Sequence, residues 1–311
     1  MRYIEKNRTA YFLLILANMV WGGNFVLGRV GAEFFPPITF SLFRWTVAFL
    51  LLTPFMFRPF LYDFKVLWSH KWIVLLLSVT GIAGYNTIIY FSLHYTTSIN
   101  ASIVNSTTPL FIAVLSFLML KERLSFVQVT GIALSVIGIV FILSKGSMTT
   151  LASFSFNTGD LFVLVAVIFW SIYSIITKKY STILPPFTTL YTTSFIGVII
   201  LFPLSLLEIR QPGVSVIFNP ASFLILGYVG LFASIVAFLS WNTGMAKIGA
   251  AKSGIFINLL PVFAALFATV FTKETLMWYQ ITGGFIVISG VILSSKKSRT
   301  ANKGTKSKAS A

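Results

Sequence analysis

The feature that most constrains this sequence is an internal duplication. Six landmarks recur in the same order, first at an offset of 149 residues and later at an offset of 152, so a short insertion interrupts the second copy. The landmarks are Trp21 with Trp170, Pro36-Pro37 with Pro185-Pro186, Pro109 with Pro261, Lys121-Glu122 with Lys273-Glu274, Gly131 with Gly283, and Gly138 with Gly290. Each copy holds five long apolar segments. Because five is odd, we expect the second copy to enter a membrane from the opposite side to the first, an arrangement typical of inverted-repeat transporters.

The composition excludes a water-facing surface. Hydrophobic residues make up 57% of the 311 residues and charged residues only 10%, whereas a soluble domain carries about 25% charged residues. The surrounding partner is therefore expected to be the lipid bilayer. Cysteine is absent and only two histidines are present, so no disulfide, thiol nucleophile, metal site or cofactor is expected. The net charge of +16 lies in short loops and a basic tail, which disfavours nucleic acid as a partner.

Ten apolar segments are long enough to cross a bilayer, which takes about 20 residues. The predicted spans are 10–30, 37–57, 72–93, 99–120, 125–144, 159–177, 187–207, 220–242, 251–272 and 276–295. The expected fold class is all-α integral membrane, with ten transmembrane helices arranged as two inverted five-helix repeats. The repeats are 1–148 and 149–295, followed by a basic, disordered cytoplasmic tail at 296–311. The first segment is expected to be a retained helix, because its long apolar run does not resemble a cleaved signal peptide.

Lysine and arginine are distributed unequally between alternate loops. With the N-terminus in the cytoplasm, eighteen of the 23 basic residues fall in inner loops and the tail, four fall outside, and Arg44 lies within a span. Cytoplasmic loops of membrane proteins carry the excess of Lys and Arg. We therefore expect a multi-pass protein of the plasma or inner membrane, with both termini in the cytoplasm, acting as a monomer.

Two prolines fall near the centres of predicted spans at equivalent depths. Pro109 and Pro261 each remove a backbone hydrogen bond and free the carbonyl four residues earlier, at Asn105 and Ile257. A freed carbonyl in hydrocarbon is costly unless protein or cavity water satisfies it. The pair therefore predicts a shared central cavity, with packing kinks as the alternative. Asn105 and Asn258 share a helix face with these prolines, and either substrate binding or interhelical hydrogen bonding explains them.

Aromatic residues also fall near the middle of the spans. Tryptophan normally lies at membrane interfaces, whereas Trp21 and Trp170 lie deep, where the indole N–H needs a partner. One interpretation is an amphipathic pocket wall and the other is a plain aromatic core. The further candidates for the same wall are Asn18, Asn24, Tyr85, Asn86, Tyr90, Tyr173 and Trp241.

Arg44 lies about seven residues into the second predicted span, roughly 10 Å below the surface. A charge at such a depth marks a substrate pathway or an ion pair. Two hypotheses follow. Either Arg44 attracts a substrate carboxylate, or it snorkels to the outer surface or pairs with Glu33. The acidic residues all lie at helix ends or in loops, so a facilitator or exchanger is the simpler expectation than proton coupling, with His94 and Glu33 as weak proton carriers.

These landmarks together resemble the EamA branch of the drug/metabolite transporter superfamily. The matching residues are Trp21-Gly-Gly-Asn24, Arg44-Trp45, Pro109, Lys121-Glu122, Gln128 to Gly131 and Gly138, then Gly159-Asp160, Trp170, Pro261, Lys273-Glu274, Gly283 and Gly290. The resemblance covers residues 8–295 and implies ten helices, a central cavity and alternating access. It also implies export of small metabolites, often amino acids. The small four-helix drug exporters of the superfamily use a glutamate in their first helix, and this chain has none between Glu5 and Arg29.

The sequence therefore predicts a secondary transporter, not an enzyme, that exports a small polar or zwitterionic metabolite, with an amino acid as the first candidate. Its cavity is expected between predicted spans 1, 3, 4, 6, 8 and 9, with spans 5 and 10 peripheral. The alternatives are an exporter of cationic or lipophilic drugs, and a membrane receptor or scaffold that binds without transporting.

Overall fold

The computed structural model describes residues 2–120, 126–152, 156–248, 253 and 255–294. All regular structure in these residues is helical, and they contain no strand. Six stretches are long and apolar enough to cross a membrane: Arg8–Gly31, Pro37–Ser69, Lys71–Leu93, Thr158–Tyr180, Pro186–Ile209 and Pro220–Lys247. Three shorter apolar helices are Val129–Leu143, Phe256–Phe271 and Trp278–Leu293. The described part of the chain is thus helical, with several apolar helices, as in a multi-pass membrane protein.

We number the helices in chain order. The first five are α1 (Arg2–Gly31), α2 (Pro37–Ser69), α3 (Lys71–Leu77, a π-helical segment Ser78–Gly84, and Tyr85–Leu93), α4 (Ser98–Asn105) and α5 (Thr108–Leu120). The next four are α6 (Phe126–Leu143), α7 (Met148–Ala152), α8 (Thr158–Tyr180) and α9 (Pro186–Ile209). The last three are α10 (Pro220–Gly227, a π-helical segment Tyr228–Val236, and Ala237–Ile248), α11 (Leu260–Phe271, after a 3₁₀ turn at Ile255–Leu259) and α12 (Trp278–Ser294).

Local sequence signals explain several helix starts. Pro37 and Pro186 occupy the first position of α2 and α9, where the N–H that proline lacks has no partner within the helix. Asn157 caps α8 by accepting the N–H of Gly159 at 2.7 Å. Asn219 and Ser222 form a reciprocal capping box at the start of α10.

The fourth predicted span is not one helix. The sequence predicts a continuous helix over 99–120 with Pro109 near its centre, whereas α4 ends at Asn105 and α5 begins at Thr108. Pro109 therefore lies in the first turn of α5, where a missing N–H costs little. The Asn105 carbonyl is not free either, because the Thr108 hydroxyl donates to it at 2.6 Å. Pro261 is likewise the second residue of α11.

The chain outside the described residues includes several predicted features. These are Lys121-Glu122, the basic tail at 296–311 and parts of three predicted spans. The parts are residue 125 of span 125–144, residues 251, 252 and 254 of span 251–272, and residue 295 of span 276–295.

Helices α2 and α9 lie antiparallel, because each carries a carboxylate that reaches the start of the other. Glu208, in the last turn of α9, accepts the N–H groups of Ile38 and Thr39 at 3.0 and 2.7 Å and the Thr39 hydroxyl at 2.8 Å. Asp63, in α2, accepts the hydroxyl of Thr188 at 2.7 Å. Thr39 and Thr188 are 149 residues apart, so the two hydroxyl donors are equivalent under the duplication, whereas their carboxylate acceptors occupy different repeat positions.

Helices α6 and α12 also pack antiparallel, through glycines. A Cβ on Gly138 would lie 2.8 Å from the Val287 nitrogen and 3.0 Å from the Gly283 carbonyl oxygen. A Cβ on Gly290 would lie 2.6 Å from the Gly131 carbonyl oxygen. Gly138 and Gly290 are 152 residues apart, as are Gly131 and Gly283. The two close approaches are therefore a repeat-related pair, and small residues permit such backbone proximity in membrane helices.

The carboxylate at the end of α9 gives a stability prediction. Glu208→Ala leaves two N–H groups at the start of α2 without their acceptor, and loss of an N-cap costs about 0.5–2 kcal/mol. We expect the apparent melting temperature in detergent to fall by a few degrees. Glu33→Ala is the control, because Glu33 is exposed at the same end of the bundle and should melt with the wild type. Equal melting temperatures for Glu208→Ala and the wild type would contradict this role.

Candidate functional site

A narrow cavity lies in the interior, where helices from both copies converge. Its lining residues are Trp21, Asn24 and Phe25 of α1, Arg44 of α2, Tyr85 and Asn86 of α3, Asn105 of α4, Trp170 of α8, Phe238 of α10, Ile257 of the 3₁₀ turn and Leu260 of α11. Its volume is about 20 Å³, which is room for about one water molecule. A larger molecule can enter only if these walls separate.

Arg44 is held in the wall of this cavity and is only 1% exposed. Its Nε donates to the Ser234 hydroxyl at 2.6 Å. Nη1 donates to the Asn24 amide oxygen at 3.0 Å and to the Tyr90 hydroxyl at 2.8 Å, and Nη2 donates to the Ala233 carbonyl at 3.3 Å. These bonds use four of the five N–H groups of a guanidinium.

All four acceptors of Arg44 are neutral. Among the described residues, no carboxylate forms an ion pair with Arg44. The hypothesis that Arg44 snorkels outward or pairs with Glu33 is therefore wrong, because the side chain points into the bundle and is bound there. A buried full charge without a counter-ion is costly, and the site can reduce this cost by binding an anion.

The backbone carbonyl that accepts from Arg44 lies in a π-helical segment. The Ala233 carbonyl lies in the π-helical segment of α10 and accepts both Arg44 Nη2 and the Trp21 indole N–H, the latter at 3.1 Å. Ser234, in the same segment, donates to the Val229 carbonyl five residues earlier at 2.8 Å. π-Helical segments are rare and often occur at functional sites. The segment in α3 lies at the equivalent place in the first copy.

Aromatic rings form the remaining wall of the cavity. Trp21 and Trp170 meet edge to face with ring centroids 5.6 Å apart, and Phe238 packs against both at 5.7 and 5.5 Å. Tyr85 lies 4.8 Å from Trp170 and donates its hydroxyl to the Asn105 amide oxygen at 3.1 Å. The site thus combines a cation and amide groups with a predominantly aromatic surface.

Seven of the fourteen predicted site residues line the cavity, and four others pack directly behind or near it. Tyr90 holds Arg44, Tyr173 stacks on Trp170 at 5.1 Å, and Trp241 lies 5.5 Å from Trp21. Asn18 is fully buried and donates to the Leu14 carbonyl at 2.8 Å. The seven lining residues are Trp21, Asn24, Arg44, Tyr85, Asn86, Asn105 and Trp170.

The other three predicted residues lie beside the lining without forming it. Pro109 and Pro261 begin α5 and α11, and Asn258 lies between the lining residues Ile257 and Leu260. The amide of Asn258 is enclosed, and neither of its polar atoms has a hydrogen-bond partner in the described part of the chain.

Sequence reasoning did not identify five residues of the site. Phe25, Phe238, Ile257 and Leu260 line the cavity, and Ser234 binds Arg44. The four lining residues have apolar side chains within apolar spans, and only Ile257 had a sequence signal, because Pro261 lies four residues after it. Ser234 was detectable in principle, because it is a polar residue in the middle of a span.

A second, wider cleft opens at the end of the bundle where α8 ends and α9 begins. Its volume is about 490 Å³, which is within the range of about 300–1,000 Å³ for small-molecule sites. Tyr173 lines this cleft and stacks on Trp170, which lines the cavity. The Trp170, Tyr173 and Phe238 rings are thus the layer between cleft and cavity.

The opposite end of the bundle is closed by contacts between the two copies. Glu274, after α11, accepts the N–H groups of Ser98 and Ile99 at the start of α4, both at 3.2 Å. Thr96 donates to Asp160, in the first turn of α8, at 2.5 Å. These contacts join the two copies at the end of the bundle opposite the cleft.

Comparison with known proteins gives two matches to one family model. The model of the EamA-like transporter family matches residues 8–144 and again residues 157–296. One curated relative is the uncharacterized transporter YyaM of Bacillus subtilis, 26% identical over 302 residues that cover 97% of this chain and 98% of the relative. Another is an uncharacterized transporter of Archaeoglobus fulgidus, 29% identical over 297 residues that cover 94% and 99%.

A third relative carries a more specific name. It is a probable terminal-alkyne amino-acid exporter of Streptantibioticus cattleyicolor, 25% identical over 300 residues that cover 94% of this chain and 95% of the relative. A solved crystal structure has a similar fold, with a TM-score of 0.64 at 17% identity, covering 93% of this chain and 97% of the other. These similarities extend over nearly the whole chain.

Proposed function

Because the chain belongs to the EamA-like transporter family, we propose that it is a secondary transporter that exports a small zwitterionic metabolite, an amino acid above all. The observation that carries this proposal is Arg44, a buried cation whose protein partners are all neutral, in the wall of a central cavity. A charge within the membrane is expensive and marks a substrate pathway. The carboxylate of an amino acid supplies the missing negative charge.

The rest of the cavity supports the same substrate class. The rings of Trp21, Trp170 and Phe238 offer an apolar surface for a side chain, and the amide oxygen of Asn105 is an acceptor near which an ammonium group can lie. One relative is named a probable amino-acid exporter. An aromatic or aliphatic amino acid fits this combination best.

The proposed architecture is ten transmembrane helices in two inverted repeats. Six long helices account for six of the spans, and the broken pair α4/α5, together with α6, α11 and α12, supplies the other four. Inversion is supported by the equivalent threonines Thr39 and Thr188, because each lies at the start of its helix and donates to a carboxylate of the other helix, Glu208 and Asp63 respectively. The paired π-helical segments of α3 and α10 and the two family-model matches support it as well.

The proposed orientation places both termini in the cytoplasm of a plasma membrane, as the basic loops favour. The cleft beside Lys178 then faces the cytoplasm, and the conformation is closed to the outside. In the proposed alternating access, separation of the Trp170, Tyr173 and Phe238 rings opens the cavity to the cytoplasm. Breaking the contacts of Glu274 and Asp160 opens it to the outside. The proposed partners are the substrate and lipid, with the chain acting as a monomer and binding no nucleic acid.

A cationic-drug exporter fits the site less well, because the Arg44 charge repels a cation within the cavity. A receptor or scaffold that binds without transporting differs from a transporter only in flux. Transport must therefore be measured directly.

The test is counterflow in proteoliposomes with each of the twenty L-amino acids, followed by quaternary ammonium dyes. We expect saturable flux of a subset of amino acids and none of the dyes. Ligand binding in detergent with no flux in vesicles identifies a receptor, and dye flux alone identifies a drug exporter. Repeating the assay across imposed pH gradients shows whether flux is proton-coupled, and a tag at 144–147 that is accessible only from outside supports the inverted repeat.

A further inference from the structure

Trp170 and Trp21 are equivalent under the duplication, yet their indole nitrogens have different environments. The Trp21 indole N–H donates to the Ala233 carbonyl at 3.1 Å. In the described residues, no protein acceptor receives the indole N–H of Trp170, although the residue lines the central cavity. The two tryptophans contact each other edge to face, so one cavity wall holds one indole that is hydrogen-bonded to the protein and one that is not.

The two copies also differ in which side chains donate to the equivalent backbone carbonyl. The π-helical segments of the two copies end at Gly84 and Val236, which are 152 residues apart, and on this offset the counterpart of Ala233 is Gly81. The Gly81 carbonyl already accepts the side-chain amide of Asn86 at 2.9 Å. The counterpart of Asn86 is Phe238, which has no side-chain donor. The Ala233 carbonyl thus accepts Trp21 and Arg44, whereas the Gly81 carbonyl accepts Asn86, and no bond from Trp170 reaches it within the described residues.

An indole N–H that no protein group accepts is available to an acceptor bound in the cavity. Arg44 has one uncommitted N–H on Nη2, since its bonds to Ser234, Asn24, Tyr90 and Ala233 use the other four. Arg44 and Trp170 line the same cavity. One cationic and one neutral donor suit an anionic acceptor with two oxygens, such as a carboxylate.

We infer that the indole N–H of Trp170 binds the carboxylate of the transported molecule together with Arg44, and that Trp21 has a structural role instead. This inference rests on the proposed function and names the residue that distinguishes a carboxylate substrate from its amine analogue. The ring contacts of Trp170 with Tyr173 and Phe238 hold the indole in place.

The matched pair Trp170→Phe and Trp21→Phe tests the inference, because each removes one indole N–H from an equivalent position. The probes are L-phenylalanine and L-leucine, with phenethylamine and isoamylamine as their analogues without a carboxylate. We expect Trp170→Phe to raise KM for the amino acids about tenfold and to leave KM for the amines and the melting temperature nearly unchanged. Trp21→Phe should lower the melting temperature and leave the ratio of amino-acid to amine KM as in the wild type.

Trp170→His keeps a ring N–H and should restore part of the amino-acid affinity, and it provides a second measurement if Trp170→Phe folds poorly. An unchanged amino-acid KM in Trp170→Phe, or an equal rise for amino acids and amines, overturns the inference while the proposed function stands. Where the amines give no saturable flux in the wild type, the comparison is between the two variants, and an equal rise in amino-acid KM for Trp170→Phe and Trp21→Phe overturns the inference. Wild-type flux of the amines alone overturns both.

Discussion

Arg44→Gln is expected to lose nearly all transport of amino acids while remaining folded. Removing one member of a buried, hydrogen-bonded charge pair costs about 2–5 kcal/mol, which is roughly a 30-fold to several-thousand-fold loss in kcat/KM. The neighbours of Arg44 tolerate the change, because Ser234 still donates to Val229 and Tyr90 still donates to Asn24, the latter at 3.1 Å. The measurement is initial flux in proteoliposomes, with the melting temperature and gel-filtration profile of the same preparation.

The control for this prediction is a probe that lacks the carboxylate. Phenethylamine lacks the carboxylate, so its flux should not fall in Arg44→Gln and is free to rise as the repelling charge is removed. Thr193→Val is a second control, because Thr193 lies 149 residues after Arg44 and is absent from the cavity lining. An aggregated Arg44→Gln protein, or equal loss of amino-acid and amine flux, would assign Arg44 to structure alone.

Most of what the sequence predicts about the site follows from the internal duplication. Trp21 and Trp170 were paired by their offset, and the structure places their rings in contact on the same cavity wall. Asn24, Tyr85 and Asn105 were identified because polar groups are rare in such apolar spans, and they too line the cavity. When two repeats share a central site, the repeat offset and the polar residues within apolar spans can both be read from the sequence.

Backbone geometry was the part that the sequence did not reveal. The π-helical segments of α3 and α10 have no composition that distinguishes them from α-helix, yet the Ala233 carbonyl in one of them binds Arg44 and Trp21. The prediction of a continuous span over 99–120 with Pro109 near its centre is wrong, because the helix ends at Asn105 and a new one begins at Thr108. The Thr108 hydroxyl binds the Asn105 carbonyl, so this carbonyl does not need cavity water.

Arg44 illustrates the limit of reasoning from depth alone. Its distance from the predicted boundary permitted snorkelling, since a long side chain can reach the interface from that position. Hydrogen-bond acceptors on other helices keep the Arg44 side chain inside the bundle. They are Asn24 on α1, Tyr90 on α3 and Ser234 on α10. Such contacts depend on how helices pack, which one span does not encode.

Gly290→Ala is expected to give the largest loss of stability among single-methyl changes in α12. The added Cβ would lie 2.6 Å from both the Gly131 carbonyl oxygen and the Ser135 nitrogen, and backbone atoms cannot move aside without separating α6 from α12. Overpacking of this kind costs about 1–3 kcal/mol, although alanine is intrinsically the better helix former by about 1 kcal/mol. Gly138→Ala, its repeat mate, meets backbone atoms at 2.8 and 3.0 Å and should behave alike.

Gly284→Ala is the matched control, because its new Cβ would meet only Ile103 at 3.5 Å, an ordinary contact. It should melt at or above the wild-type temperature, whereas Gly290→Ala and Gly138→Ala should melt several degrees lower in the same detergent. Neither α6 nor α12 contributes to the cavity, so flux per folded molecule should be unchanged in all three variants. If Gly290→Ala were as stable as Gly284→Ala, the close antiparallel crossing of α6 and α12 would be ruled out, and with it a main support for two repeats related by inversion.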